Sequence, residues 1–335
     1  MTLRVLATKL GLSITTVSRA LDGYEDVALG TRNRVREAAD AMGYRPNPVA
    51  RRLRKGTADA IALVMPTEPG RFFQPAFGEL LAVIGERLAA AQLDFTLMAA
   101  RPGPDEAAVY SRIVEGKRAD ACLILRTRRQ DERVAYLAKS GFPFLCFGRT
   151  ETSRPYAYVD GAMEEGFGEL TTRLIMKGRR RLAHLAGPSN LTFSALRAKG
   201  FSNALAKAGL PAGRIIETIA TEEGGYQAAR ILLSQAERPD AIICATDHMA
   251  LGAYRAIGEI GARVGTDIAV TGHDNIAAAA FTDPPLTSME PPIREAGLSI
   301  AEKLIALIGG AKPADLQEVV PLHQLPRASS GENRS

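Results

Sequence analysis

The stretch Leu6-Ala-Thr-Lys-Leu-Gly-Leu-Ser-Ile-Thr-Thr-Val-Ser-Arg-Ala-Leu21 holds two helical periods separated by one glycine. Leu3, Leu6, Ala7 and Leu10 recur at the i, i+3, i+4, i+7 spacing of one helix face, and Gly11 breaks the run. Ser13 supplies an N-cap for a second helix, Ile14 to Leu21, whose Val17, Ala20 and Leu21 turn toward the first. A small residue at the crossing (Ala7), a glycine in the turn and a β-branched residue in helix two (Val17) make a helix-turn-helix pattern. Downstream, Thr31 is placed to cap a third helix, Arg32 to Met42, whose Val35, Ala38, Ala39 and Met42 close a small core before Gly43. Taken alone, the pattern also fits helices packed inside many enzymes. If helix two enters a major groove, Ile14, Thr15 and, one turn on, Arg19 face base edges, for apolar contact with thymine methyl and bidentate contact with guanine. Ser13, Thr16 and Ser18 are then placed for phosphates.

Charge weighs toward the groove. The chain carries +5 over 335 residues, but residues 1–57 hold eleven Lys and Arg against five Asp and Glu, leaving 31 against 32 over the remainder. A small basic segment joined to a near-neutral body suits contact with phosphate by the segment alone. The segment ends in Tyr44-Arg-Pro-Asn-Pro-Val-Ala-Arg-Arg-Leu-Arg-Lys-Gly-Thr57, a linker punctuated by Pro46, Pro48 and Gly56. Within it, residues 49–53 put small and apolar groups on one side of a single turn and cations on the other. A turn that short is unstable in water. On DNA it folds with Leu53 wedged into the minor groove while Arg51, Arg52 and Arg54 neutralise phosphates; a flexible basic linker is the alternative reading.

From Ala60 the texture changes to apolar strands alternating with amphipathic helices. Strands are expected at 61–65, 95–98, 121–125, 143–147, 182–186, 215–219, 241–244 and 268–271, with helices such as 77–91, 161–177, 197–208, 226–235 and 249–260 between them. That is a βα series of buried parallel strands, long enough for two doubly wound lobes that divide near Tyr158-Val-Asp-Gly161. Ligands of such sheets bind at the carboxyl ends of strands, so two facing lobes share one cleft. Composition is that of a soluble globular chain, 46% hydrophobic and 24% charged. No signal stretch opens the sequence and no run of about eighteen apolar residues occurs, so neither export nor a membrane is expected, and the location is taken as cytoplasmic. Cys122, Cys146 and Cys244 lie apart in apolar runs, as reduced buried thiols do. His184, His248, His273 and His323 have no metal-ligand spacing, and neither a Gly-x-Ser-x-Gly elbow nor a Walker loop is present. No catalytic residue, metal or cofactor is therefore assigned. The runs 126–129 and 177–181 read as solvated basic faces, and the glycine pairs 224–225 and 309–310 as helix ends.

TVSRALDGYEDV (16–27), AMGYRPNPVARRLRKG (41–56), ATDHMALGAYRAI (245–257) and AVTGHDNIAAAAFTDPPLTSM (269–289) resemble, in order and spacing, the lactose-repressor (LacI/GalR) family of bacterial transcription regulators. The resemblance covers nearly the whole chain. It implies an α/β protein with an N-terminal three-helix helix-turn-helix headpiece (1–45) and a hinge helix (46–57). A two-lobed, periplasmic-binding-protein-like (type I) body of doubly wound parallel sheets follows, its N-terminal lobe formed by 58–160 and 291–320 and its C-terminal lobe by 161–290 and 321–327. The tail, 328–335, is expected to be disordered, and without a leucine heptad it offers no coiled coil. A homodimer reading a palindromic operator is implied, with a small-molecule effector between the lobes.

Matched to the family pattern, Ile14, Thr15 and Arg19 are the base readers. Ser13, Thr16, Ser18, Thr31 and Asn47 touch the DNA backbone, and Ala50 and Leu53 belong to the hinge contact. Asp22 stands where the family commonly has Asn, and a carboxylate near a phosphate is repelled, so that contact is not carried over. Effector contacts are implied at Phe72, Phe73, Arg149, Asp160, Leu191, Phe193, Arg197, Ala220, Thr246 and Asp274. Carboxylates and guanidinium groups hydrogen-bond vicinal hydroxyls, and aromatic faces cover the apolar side of a sugar ring. Thr246 replaces a frequent Asn, and Ala220 a stacking aromatic for which Phe193 substitutes; with Leu191, Phe193 makes the pocket unlike the purine-binding branch. Each acidic residue has a structural alternative as a cap, and Arg197 as an ion-pair partner. The expected function is a sugar-controlled repressor of carbohydrate-utilisation genes. The rivals are a regulator with a purine or other effector, a corepressor or activator mode, a solute-binding receptor, and a doubly wound enzyme.

Overall fold

The computed structural model describes residues 2–45, 52, 56–67 and 75–331. The chain forms two compact units, Met1–Asp59 and Ala60–Ser335. In the first, α1 (Leu3–Leu10) stops at Gly11, whose φ of +64° sends the backbone into the left-handed region that glycine enters without strain. Helix α2 (Ile14–Leu21) starts at Ser13, which accepts a hydrogen bond from the Thr16 N–H at 3.0 Å. Helix α3 runs Leu29–Ala41. Leu6, Ala7, Val17, Ala20, Val27, Val35, Ala39 and Tyr44 form the core of this unit. Thr31 is not the cap expected of it: the Ala28 carbonyl already accepts from the Thr31 and Arg32 N–H groups at 2.9 and 3.0 Å, so helical bonding starts a turn earlier and Thr31 lies inside it.

The second unit begins with β1 (Ala60–Pro66), α4 (Pro75–Ala90), β2 (Asp94–Ala100), α5 (Pro104–Glu115), β3 (Ala121–Leu125), α6 (Glu132–Ser140), β4 (Phe144–Phe147) and β5 (Ala157–Gly161). It continues through α7 (Met163–Met176), β6 (Leu182–Ala186), α8 (Thr192–Lys207), β7 (Arg214–Glu217), α9 (Glu222–Leu233), β8 (Ala241–Cys244), α10 (Asp247–Glu259) and β9 (Ala269–Thr271). It ends with β10 (Ser288–Glu290), α11 (Ile293–Ile308), β11 (Gln317–Val320) and β12 (His323–Leu325).

The strands form a six-stranded parallel sheet, β11-β5-β4-β3-β1-β2, and a four-stranded parallel sheet, β7-β6-β8-β9, while β10 and β12 pair antiparallel. Alternation along each strand sorts the core into layers. Ile61, Leu63 and Leu123 meet Ile84 and Leu88 of α4 and Ile300 and Leu304 of α11. Their neighbours Ala62, Val64 and Ile124 meet Tyr110 and Ile113 of α5 and Leu137 of α6. In the smaller sheet Leu182 and Ile243 face Phe167 of α7 and Phe201 of α8, whereas Leu185 and Ile242 face α9 and α10.

The eight expected strands end within one or two residues of the sequence reading, whereas β5, β10, β11 and β12 were not among them. Helices α8 and α9 start earlier, however, because Leu191 and Thr221 are their N-terminal boundaries. The tail is also ordered farther than expected. Ala328–Ser330 form a 3-10 turn in which Ser329 Oγ donates to the Val270 carbonyl at 2.6 Å and accepts from the Thr287 N–H at 2.7 Å. Ser330 Oγ lies 2.7 Å from Thr287 Oγ1. Small polar residues that looked solvent-bound are here the partners of buried backbone; residues 332–335 lie outside the description.

Helices α9 and α10 cross with their backbones touching. A Cβ at Gly252 would lie 2.0 Å from the Glu222 carbonyl oxygen and 2.5 Å from the Tyr226 nitrogen, and one at Gly225 would lie 2.2 Å from the Met249 oxygen. Neither contact can relax without parting the helices. Gly252→Ala is therefore expected to lower unfolding free energy by at least about 1–3 kcal/mol in denaturant titrations. Gly258→Ala, on the same helix with open space around it, should leave stability unchanged or raise it by up to about 1 kcal/mol.

Candidate functional site

In the first unit, Ile14, Thr15 and Arg19 are exposed on α2, with Ile14 43% accessible. Ser13 is exposed and Thr16 half-buried; their hydroxyls lie 2.8 Å apart, so the cap is shared. Ser18 is buried and presents little of itself to a partner. Arg19 is held in a pair with Asp26, through Nε at 3.2 Å and Nη2 at 2.5 Å. Thr31 is half-buried. Asn47, Ala50 and Leu53, with Phe72 and Phe73 of the second unit, lie outside the described residues.

In the second unit Arg149, Ala220, Thr246 and Asp274 follow the carboxyl ends of strands, Asp160 lies at the end of β5, and Leu191, Phe193 and Arg197 lie at or in the start of α8. Arg149 follows β4 and donates through Nε to Asp160 Oδ2, 2.6 Å away at the end of β5. Burial pushes the Asp160 carboxyl above its ordinary range, and the guanidinium of Arg149 pulls against that shift. Leu191 is buried at the start of α8 and pairs as an antiparallel bridge with Arg128, from the loop after β3. On either side of that bridge, the Thr192 N–H donates to the Thr127 carbonyl and the Arg129 N–H to the Asn190 carbonyl, both at 3.0 Å. Backbone thus joins the two sheets' loops directly.

Arg197 is buried on α8. One Nη donates to the Ala245 carbonyl at 2.6 Å, and the guanidinium lies between the rings of Phe167 and Phe193, 5.3 and 5.1 Å from their centroids. Among the described residues it has no carboxylate at ion-pair distance, and burial lowers its pKa to about 10. Its other Nη faces the ring nitrogens of His273 at 3.3 and 3.4 Å, and His273 Nδ1 lies 2.7 Å from Asp274 Oδ1. Burial, then the neighbouring guanidinium, lowers the His273 pKa. The neutral ring donates to Asp274 from Nδ1 and so connects the two polar groups. The structural alternative weighed for Arg197, an ion pair, is not what these residues form. Thr246 Oγ1 caps α10 by accepting from the Met249 N–H at 3.3 Å, and Ala220 packs against the core of the smaller sheet.

Two groups were missed in the sequence. His273 looked like one more histidine without metal spacing; only its burial beside Arg197 gives it a place. Asp247 is fully buried, accepting from the Ile276 N–H at 2.9 Å and the Ser288 hydroxyl at 2.7 Å. It fixes the loop carrying Asp274, whose φ of +104° is strained for a residue with a Cβ. Asn275 extends the connection, donating to Glu290 and accepting from Arg327, both at 2.8 Å.

The basic run 126–129 is not the solvated face expected. Arg126 lies 5.7 Å from the Phe193 centroid, Arg128 is paired with Glu106 at 3.0 Å, and Arg129 with Glu151 at 2.8 Å. The run 177–181 is engaged as well, with Arg179 donating to the carbonyls of Gly265, Thr266 and Asp267. His248 lies 2.6 Å from Glu222. Among the described residues no cluster is placed to hold a metal ion, and no helix is long and apolar enough to cross a membrane.

A helix-turn-helix unit followed by a body of two parallel sheets is the architecture of a class of transcription regulators. Residues 2–47 match the family of bacterial regulatory proteins of the lacI family, and residues 171–330 match a periplasmic binding protein-like domain. The chain is 38% identical to the HTH-type transcriptional regulator AglR of Rhizobium meliloti (strain 1021), over 98% of this chain and 94% of that one. It is similar in structure to the transcriptional regulator CelR in its cellobiose complex, with a TM-score of 0.75 at 30% identity, covering 98% of this chain and 99% of that one. It also shares the fold of the lac repressor dimer bound to operator and the anti-inducer ONPF, with a TM-score of 0.81 at 24% identity, covering 98% and 99%. The chain belongs to the lacI family of bacterial regulatory proteins and is a DNA-binding transcription regulator.

Burial raises the Asp247 pKa to about 7, against about 3.9 in an unfolded chain. A raised carboxyl stabilises the fold fully below the unfolded value, and that contribution is lost as pH rises through the folded one. The unfolding free energy of wild type should therefore fall relative to that of Asp247→Asn as pH rises from about 4 to 7, measured by denaturant titration at each pH.

Proposed function

We propose that this regulator is a repressor of carbohydrate-utilisation genes whose grip on its operator is controlled by a neutral sugar bound between the two sheets of the body. The observation that carries the reading is the cancellation of charge at the site. Arg149 is paired with Asp160, while Arg197, without a carboxylate at ion-pair distance among the described residues, is linked to the charge of Asp274 only through a neutral His273. Guanidinium and carboxylate groups in balance suit the hydroxyls of an uncharged polyol and disfavour a phosphorylated or acidic ligand. Phe193, facing Arg197, supplies the apolar wall that Ala220 lacks. Phe72, Phe73, Leu191 and Thr246 complete the proposed effector contacts. The cellobiose bound to the similar CelR supports a sugar as ligand class.

At the other end of the chain, residues 1–45 read DNA through Ile14, Thr15 and Arg19 with backbone contacts from Ser13, Thr16 and Thr31, while the buried Ser18 is left out of that set. Residues 46–57, with Asn47, Ala50 and Leu53, form the hinge that folds on the operator. A homodimer in the cytoplasm, on a palindromic site, is the assembly proposed. Coupling requires that the sugar bind the DNA-competent and DNA-released states with different affinity.

Titrating a carbohydrate panel, with purines as controls, against the protein on a selected palindromic duplex tests the reading. One sugar should weaken DNA binding; identical DNA affinity with every compound would defeat sugar control, and tightening would reveal a corepressor. Arg197→Ala should weaken binding of that sugar by about ten- to a hundredfold in calorimetry, with DNA affinity in its absence retained. Arg19→Ala is expected to cost about 1–3 kcal/mol on the selected duplex and to relax the base preference at one position per half-site. Equal loss on random DNA would show that Arg19 touches only phosphate.

A further inference from the structure

Arg19 carries the bidentate reading of guanine, and its guanidinium is already held in the free headpiece. Asp26, in the turn between α2 and α3, accepts from Nε at 3.2 Å with one carboxylate oxygen and lies 2.5 Å from Nη2 with the other. The Tyr24 ring covers the same group, with its centroid 4.8 Å from the Arg19 Cζ. The carboxylate thus takes one edge of the guanidinium, Nε with one N–H of Nη2. Five N–H donors project from that plane. The edge made by Nη1 and the second N–H of Nη2 is left facing away from Asp26, and two parallel N–H groups of this kind match guanine O6 and N7.

We propose that Asp26, assisted by the Tyr24 ring, is a positioning residue for base recognition. It grips Arg19 by the Nε edge so that the Nη edge is presented to guanine, and its charge offsets the attraction of Arg19 to phosphates of any sequence. The inference rests on the assignment of α2 as the base-reading helix. Two physical effects act together. A long flexible side chain that is fixed beforehand loses less rotamer freedom on binding. A cation with an adjacent carboxylate also gains less from counterion release, which is the sequence-independent part of DNA affinity. Arg19 and Asp26 side chains are 44% and 55% accessible, so the pair stands in solvent and its effect on headpiece stability is small.

The test uses the full-length protein and fluorescence anisotropy on three kinds of duplex. These are a palindrome recovered by selection from a random-sequence library, its variants with each half-site guanine replaced by adenine, and a random duplex. Wild type is measured first; failure to prefer the selected duplex would overturn the base-reading assignment and this inference with it. Given that preference, Asp26→Asn and Asp26→Ala should each reduce the ratio of selected to random affinity about three- to fivefold, the scale of an exposed ion pair. The loss should come largely from tighter binding to random DNA, with a salt slope steeper there by about one. Tyr24→Phe should leave the ratio unchanged and Tyr24→Ala should lower it. In an Arg19→Ala background, Asp26→Asn should no longer alter the guanine-to-adenine preference, a result that a merely structural role for Asp26 would not produce. An unchanged ratio in both Asp26 variants, or an increased one, would overturn the proposal while leaving base reading by α2 intact. The isosteric Asn variant keeps the test decisive where the Ala variant unfolds.

Discussion

Parallel strands deliver all their carboxyl ends to one edge of a sheet, and the body of this regulator is two such sheets between which the chain passes three times, after β5, after β10 and after β11. Everything at the inter-sheet site follows from that constraint. Arg149 follows β4, Asp160 ends β5, Thr246 follows β8 and His273-Asp274 follow β9. The loops that carry polar chemistry are brought together by topology, while the side chains beneath them in β1, β3 and β8 are apolar and β6 buries one polar group, His184.

The headpiece and the alternation of strands and helices were legible because each rests on local signals: a period of 3.6 around Gly11, a Ser at the cap, short apolar runs bounded by polar loops. The start of α3 was not legible, since Thr31 is the better capping residue by type and yet backbone bonding to the Ala28 carbonyl begins before it. The ordered turn at Ala328–Ser330 escaped for a related reason. Serines in a polar segment look solvent-bound until a distant element, here Thr287 and Val270, offers them buried backbone partners. Of the site, the carboxylates and guanidinium groups were read through their places in family motifs. His273 and Asp247 depend on burial, a property of the assembled tertiary structure that spacing does not encode.

A guanidinium buried without a carboxylate of its own is costly, and Arg197 meets that cost with a carbonyl, a neutral imidazole and two aromatic faces. These partners satisfy the guanidinium without a direct ion pair. Asp247, buried and satisfied by Ser288 and the Ile276 N–H, holds the strained Asp274 loop against the β10 crossing, so the polar floor of the site and the path of chain between the sheets share one support.

The join between Thr127–Arg129 and Asn190–Thr192 is made of main-chain groups, which every residue type except proline can supply in full. The join at that point is therefore indifferent to which side chains flank it. Diverging descendants of such a scaffold can exchange side chains on the surrounding loops while this main-chain join is inherited unaltered.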